Sequence, residues 1–278
     1  MEITNLLTEA DFANETGDFA RALDLLRQAR EIQPENPDIA NRYEYSQKIA
    51  LVFDHITEID SAIKSESPID AIKELSRGID ILFEHLSVPN QELLRRILQL
   101  STQNDGLLLA DSLVWQDVQN LLFQLKYSDS NDWLTKNAIK FTSDYLDLAR
   151  DLVLQGIISS SVQLDDFIAA FNAAKTYVTI HPGDETAIKT LADIRISLAQ
   201  QSIHSARQRL DSAHHYLDQE NFDAALASLH DWEGFFYSDE KNFPGFWKGF
   251  VEVENIRAET RVMEMELAVH QKKKEKIY

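Results

Sequence analysis

The sequence contains no cysteine, few glycines and prolines (8 and 6 of 278 residues) and no long apolar run. Without cysteine it can build neither a disulfide framework nor thiolate chemistry, which fits a reducing compartment. So few turn residues, and the lack of alternating Val, Ile and Thr runs, favour an all-α over an all-β protein. No segment approaches the ~18 apolar residues that span a bilayer, and residues 1–12 lack the pattern of a signal peptide. We therefore expect a cytoplasmic, all-α protein with no membrane partner.

Negative charge predominates in the sequence. The formal net charge is −19, and it is spread along the chain rather than gathered in one segment. An acidic surface repels phosphate backbones, so we expect no nucleic-acid partner. The hydrophobic fraction of 44% is ample for a core, which argues against a disordered chain.

Motifs of catalysis are also missing. The sequence has no Gly-rich phosphate loop, no Gly-x-Ser-x-Gly and no His-Glu-x-x-His. Among its eight histidines, His270 lies four residues after Glu266, the spacing of two ligands on one helix face. One such pair is better explained by the electrostatics of a helix end. We therefore expect no enzymatic activity, no catalytic residue, no cofactor and no metal.

One stretch, residues 17–36, organises the rest of the chain. Gly17 marks a turn, Asp18 starts a helix, and Pro34 stops it. The apolar positions of this helix recur on one face: Phe19, Ala22, Leu25, Leu26 and Ala29. The preceding residues 3–14 carry a second helical pattern: Leu6, Leu7, Ala10 and Ala13. Together these patterns predict a helical hairpin.

This hairpin resembles a tetratricopeptide repeat (TPR). The repeat has small residues where Ala10, Ala22 and Ala29 fall, an aromatic at Phe19 and a proline at Pro34. The resemblance implies stacked hairpins, each of which buries its apolar faces against its neighbours. An ordinary amphipathic hairpin in a helical bundle is the alternative.

Related patterns recur at 67–82, 165–182 and 220–236. Their matching positions are Ala71, Leu75 and Gly78, then Phe167, Ala170, Ala174, Tyr177 and Pro182, then Phe222, Ala225 and Leu229. We therefore expect an α-solenoid of about five TPR-like antiparallel hairpins with elongated first helices. The solenoid would occupy residues 1–243, and residues 244–278 would form a long terminal helix with a basic tail.

Helix lengths and packing can be predicted in the second half. A helix from about residue 184 to 217 would carry two interleaved series at intervals of seven: Ala192, Ala199, Ala206 and Ala213, and Ile196, Ile203, Leu210 and Leu217. Such a seam suits packing against another long helix, the candidates being residues 131–156 and 244–276. We also expect the helix that starts at Trp133 to end at Gly156, with a loop at 159–161.

The connector from residue 232 to 250 holds eight aromatic residues together with glycine and proline. Neighbouring helices offer little room to bury them all, and aromatics dominate the energetic centres of protein interfaces. We predict that at least one of Phe236, Phe243 and Trp247 is largely exposed and contacts a partner or a downstream domain. The alternative is that they fill the gap before the terminal helix.

These patterns predict a non-catalytic protein–protein interaction scaffold or regulatory module within a larger bacterial assembly or multidomain protein. Some TPR proteins grip a carboxylate with Lys and Asn, but the corresponding positions here, Thr4, Leu7, Thr8 and Asp11, supply no cation. The helical pattern persists to the last residue, which suggests a further downstream effector domain. One alternative is a self-associating structural coiled coil, and another is a small-molecule sensor beneath the aromatic connector.

Overall fold

The computed structural model describes residues 2–64, 67–128, 133–230 and 245–275. Every regular element in these ranges is a helix, which confirms the all-α prediction. In the same ranges no helix is both long and apolar enough to cross a bilayer. The chain divides into two compact units, Met1–Gly156 and Ile157–Tyr278.

Unit 1 is built from helices that pack mainly on their neighbours in sequence. The elements are α1 (Ile3–Thr16), α2 (Phe19–Ile32), α3 (Pro37–Ile63), α4 (Pro68–Phe83), α5 (Val88–Thr102), a 3₁₀ helix (Gln103–Ala110), α6 (Ser112–Ser128) and α7 (Trp133–Gln163). Helix α1 packs on α2, α2 on α3, α3 on α4, and α5 on α6.

Local sequence accounts for the first hairpin. Gly17 ends α1 with a positive φ of 83°, a conformation that glycine adopts without a Cβ clash. Asp18 then caps α2, its carboxylate accepting from the backbone N–H of Arg21. Ala10 and Ala22 have no exposed surface, as the predicted close approach of the two helices requires.

Local sequence also accounts for the start of α4 and for the small residue at its centre. Ser67 caps α4, its hydroxyl accepting from the backbone N–H of Asp70, and Pro68 occupies the first helical position. Gly78 is buried on α4, and a Cβ added there would lie 2.5 Å from the ring of Phe141 on α7. A small residue at 78, predicted from the repeat pattern, is therefore required by the ring packed against it.

The end of α7 differs from the prediction. Helix α7 continues through Gly156 and the expected loop at 159–161 to Gln163, because a single glycine costs a helix only about 1 kcal/mol and does not terminate it.

Unit 2 contains α8 (Phe167–Ile180), α9 (Glu185–Asp218), α10 (Phe222–Leu229) and α11 (Val251–Glu275). Asp166, Asp184 and Asn221 cap the first three of these helices through their side chains. Helix α9 packs on α8 and α10, and α11 packs on both α9 and α10. Residues on both sides of the predicted 243/244 boundary thus belong to one compact unit.

The seam on α9 is only partly as predicted. Ile203 and Leu210 are buried in the same core cluster as Val253 and Ile256 of α11, which selects residues 244–276 as their partner. Ile196, however, is 44% exposed, and Ala192 is exposed as well. The heptad pattern is buried from Ala199 to Ala213, where residues of α8, α10 and α11 join it in one core cluster.

Candidate functional site

The structure describes one of the three aromatic residues that were predicted to bind a partner. Trp247 is only 5% exposed and belongs to the core of unit 2. Its ring contacts those of Phe246 and Phe250, with centroids 4.7 and 6.1 Å away. Phe236 and Phe243 lie outside the described residues. Trp247 therefore acts in packing, and the predicted exposure of the connector rests on the other two aromatics.

Arg195 of α9 holds the turn that precedes α11. Its guanidinium donates to the carbonyl oxygens of Phe246 at 2.7 Å and Lys248 at 2.9 Å, and lies 5.3 Å from the ring centroid of Phe250. One planar side chain thus satisfies backbone carbonyls that the irregular turn leaves outside a helix. This arrangement is structural, since the interactions of the guanidinium are directed inward to the turn.

A different site emerges in unit 1, where the sequence analysis placed none. A cleft of about 210 Å³ lies among α1, α3 and the start of α7. Its lining is polar and aromatic: Asp11, Asn14, Glu15, Arg42, Tyr45 and Trp133. The three α1 residues share one helix face because they are three and four positions apart.

Ion pairs fix Arg42 at this cleft. Its guanidinium pairs with Asp11 across the helices and, at 3.0 Å, with Asp38 one turn away on α3. Burial acts to lower the pKa of Arg42, but the hydrogen bonds and charges of both aspartates outweigh it and raise the pKa. The Arg42 charge is thus matched within the protein, which leaves it little capacity to hold an external anion.

Asn14 is the buried polar residue of the cleft, at 8% exposed. Its Nδ2 donates to Ser46 Oγ at 2.9 Å, and Ser46 Oγ donates to the carbonyl oxygen of Arg42 at 3.0 Å. Asn14 Oδ1 is buried and has no hydrogen-bond partner in the described part of the chain. An acceptor left in this state costs on the order of 1–3 kcal/mol.

Trp133 forms an aromatic wall of the cleft. Its half-buried ring packs edge-on against Phe19, with centroids 5.3 Å apart, and lies tilted against Phe53, with centroids 5.8 Å apart. These contacts restrict the orientation of the indole. The cleft therefore combines a fixed aromatic surface with carboxylates and an unpaired amide oxygen.

Unit 2 has a second, wider pocket of about 630 Å³ between α9 and α10. It is lined by Ser205, Gln208, Arg209, Ser212, Ala227, Ser228 and His230. The hydroxyls of Ser212 and Ser228 already donate to carbonyl oxygens of their own helices. Its lining contains no buried polar atom that lacks a hydrogen-bond partner. This pocket would therefore discriminate less between ligands than the cleft of unit 1.

The described residues contain no group of three or more potential metal ligands. His270, the histidine of the spacing considered above, stacks on Phe222 with ring centroids 4.4 Å apart and an interplanar angle of 18°. It therefore helps to join α11 to α10.

No protein-family model, curated protein or solved structure matches this chain. The function must be argued from the site itself.

The cleft is not predicted by the sequence patterns described above, although one signal for it is present. Asn14 follows the apolar positions Leu6, Ala10 and Ala13 on the inward side of α1, where a polar residue is unusual and needs a partner. Nothing in the sequence indicated that Ser46 and Trp133 would meet it there.

Proposed function

We propose that the chain is a non-catalytic protein-interaction scaffold or regulatory module, a solenoid of TPR-like hairpins that presents a polar and aromatic surface to a protein partner. The observation that carries this proposal is the packing order within each unit. Helix α1 packs on α2, α2 on α3, α3 on α4 and α5 on α6 in unit 1, and α9 packs on α8 and α10 in unit 2. Ala22, Ala170 and Ala225 have no exposed surface at the matching positions of three hairpins. Stacked hairpins of this type bind partners through extended surfaces.

Exposed aromatic residues support the same proposal. Phe123 and Tyr127 of α6 are both mostly exposed, with ring centroids 4.4 Å apart. Paired aromatic side chains at a surface are typical of protein interfaces. The acidic surface would favour a partner with basic segments.

Self-association through the heptad seam is the alternative that the sequence raised. Its central residues, Ile203 and Leu210, are buried within unit 2, so they are not available to a second copy without opening the core. The sensor alternative places its pocket beneath the connector at residues 232–250, of which 232–244 lie outside the described part of the chain.

Cross-linking with mass spectrometry, in cells that naturally express the chain, tests the proposal. We expect cross-links to one protein that concentrate on one surface, and a stoichiometric complex when both purified proteins are mixed. Light scattering of the purified chain is the companion measurement. A stable oligomer at micromolar concentration without any partner would favour self-association, and scattered cross-links without a reconstituted complex would contradict the scaffold.

A further inference from the structure

The cleft of unit 1 has more negative than positive charge. Asp11 and Asp38 share the single guanidinium of Arg42. Glu15 is exposed at the rim and has no ion-pair partner among the described residues. A cation that enters the cleft can therefore pair with the Glu15 carboxylate. It would also lie beside two aspartates whose combined negative charge exceeds the single positive charge of Arg42.

The atom of the buried Asn14 amide that lacks a partner is its oxygen, so the missing partner is a hydrogen-bond donor. Ser46 Oγ uses its proton on the Arg42 carbonyl, so it can only accept from Asn14. This order places Asn14 Nδ2 toward Ser46 and leaves Oδ1 as the unpaired atom. A ligand group that satisfies the cleft must therefore carry N–H or O–H donors.

The aromatic wall selects among cationic donors. A planar guanidinium stacks on an indole face and offers five N–H donors in a fixed plane, whereas an ammonium group is a compact, strongly hydrated charge. The chain itself contains this contact elsewhere, where the Arg150 guanidinium lies 4.2 Å from the ring centroid of Trp115. One guanidinium can stack on Trp133 and also donate to two separate acceptors.

From this geometry we infer that the cleft formed by Asp11, Asn14, Glu15, Arg42, Tyr45 and Trp133 binds the guanidinium of an arginine side chain on a protein partner. The inference rests on the proposed function, because it names the chemistry through which the scaffold recognises its partner. In the bound state the guanidinium stacks on Trp133, donates to Glu15, and donates to Asn14 Oδ1 after a small rotation of the amide. The net charge of −19 steers basic segments toward the chain.

The test uses the full chain labelled with ¹⁵N and the indole N–H resonance of Trp133, assigned from the spectrum of Trp133→Phe. N-acetyl-arginine amide is titrated alongside N-acetyl-lysine amide and the neutral isostere N-acetyl-citrulline amide. We expect a saturable shift with arginine, weaker binding of lysine and no binding of citrulline. Equal shifts with citrulline and arginine would overturn the inference, because they would show that the charge is not recognised.

A matched pair of variants locates the site. Glu15→Gln should weaken arginine binding on the order of tenfold, because it replaces a charged carboxylate acceptor by a neutral amide oxygen. Glu31→Gln removes the same charge from an exposed position on α2 and should leave the affinity unchanged. Both variants should retain the helical circular dichroism spectrum. Equal affinity of Glu15→Gln and the wild-type chain would overturn the assignment of the cleft.

A peptide with a single arginine between glycine and serine residues separates the two sources of a guanidinium. Binding at least as tight as that of the free arginine amide supports a protein partner, whereas weaker binding assigns the cleft to a small molecule and overturns the partner clause. Failure of the inference is distinct from failure of the proposed function. A reconstituted partner that binds wild type and Glu15→Gln equally would leave the scaffold intact and remove only the arginine site.

Discussion

Gly78 and Gly156 provide a comparison in which one substitution should have opposite effects. Both lie inside helices, α4 and α7 respectively. Replacing glycine by alanine in a helix gains about 1 kcal/mol of stability when the new methyl group meets nothing. At Gly156 there is no atom within 4 Å of the added Cβ, whereas at Gly78 two atoms of the Phe141 ring lie 2.5 Å from it.

The structure sets the size of the penalty at Gly78. Phe141 is 1% exposed and is surrounded by the core cluster that includes Leu134 and Ala138, so its ring cannot swing into solvent. Overpacking of this kind costs about 1–3 kcal/mol, and two such short contacts place it toward the upper end. We expect Gly78→Ala to lose about 1–2 kcal/mol after the helix gain, and Gly156→Ala to gain about 1 kcal/mol.

Urea unfolding followed by circular dichroism measures both changes, and hydrogen exchange of α4 peptides assigns the first to unit 1. A second-site test follows from the geometry. Phe141→Leu removes the ring atoms that clash, so adding Gly78→Ala to that variant should stabilise it rather than destabilise it. If Gly78→Ala stabilises the wild-type chain as much as Gly156→Ala does, the packing of α7 on α4 is not as described.

The remaining predictions concern unit 2 and the cleft. Leu210→Ala should cost roughly 2–5 kcal/mol because this side chain is 1% exposed. Ile196→Ala, on the exposed part of the same heptad series, should change stability by less than about 0.5 kcal/mol. Equal losses of stability in urea unfolding would contradict the packing of this seam. Arg195→Lys should cost on the order of 1–3 kcal/mol, because an ammonium cannot reproduce the planar donation to two turn carbonyls, and an unchanged melting temperature would show that the turn does not depend on the guanidinium. The double variant Asn14→Leu/Ser46→Ala should be as stable as the wild-type chain or more stable in thermal melting, because both buried polar partners are replaced together. The same variant should lose arginine binding. A loss of stability of more than about 2 kcal/mol would mean that the Asn14–Ser46 pair contributes to folding.

Short-range signals in the sequence were sufficient for the helices and several of their ends. Asp18 and Ser67 could be recognised as starts because an N-cap depends on a side chain and a backbone N–H only a few residues away. Gly17 could be recognised as a stop because glycine, which has no Cβ, adopts positive φ without a steric penalty. The continuation of α7 through Gly156 could not, since a glycine weakens a helix without deciding whether packing maintains it.

Burial and the cleft were decided by the tertiary structure. Ile196 and Ile203 occupy equivalent heptad positions, yet one is exposed and the other is buried in the core cluster that α8, α10 and α11 form with α9. The TPR resemblance stays a proposal because it concerns how hairpins stack. Asn14, Arg42 and Trp133 come from three helices, and their meeting depends on how α1, α3 and α7 pack. Periodicity and capping act within one helix, so the sequence by itself determined the helices, and contacts between helices determined the site.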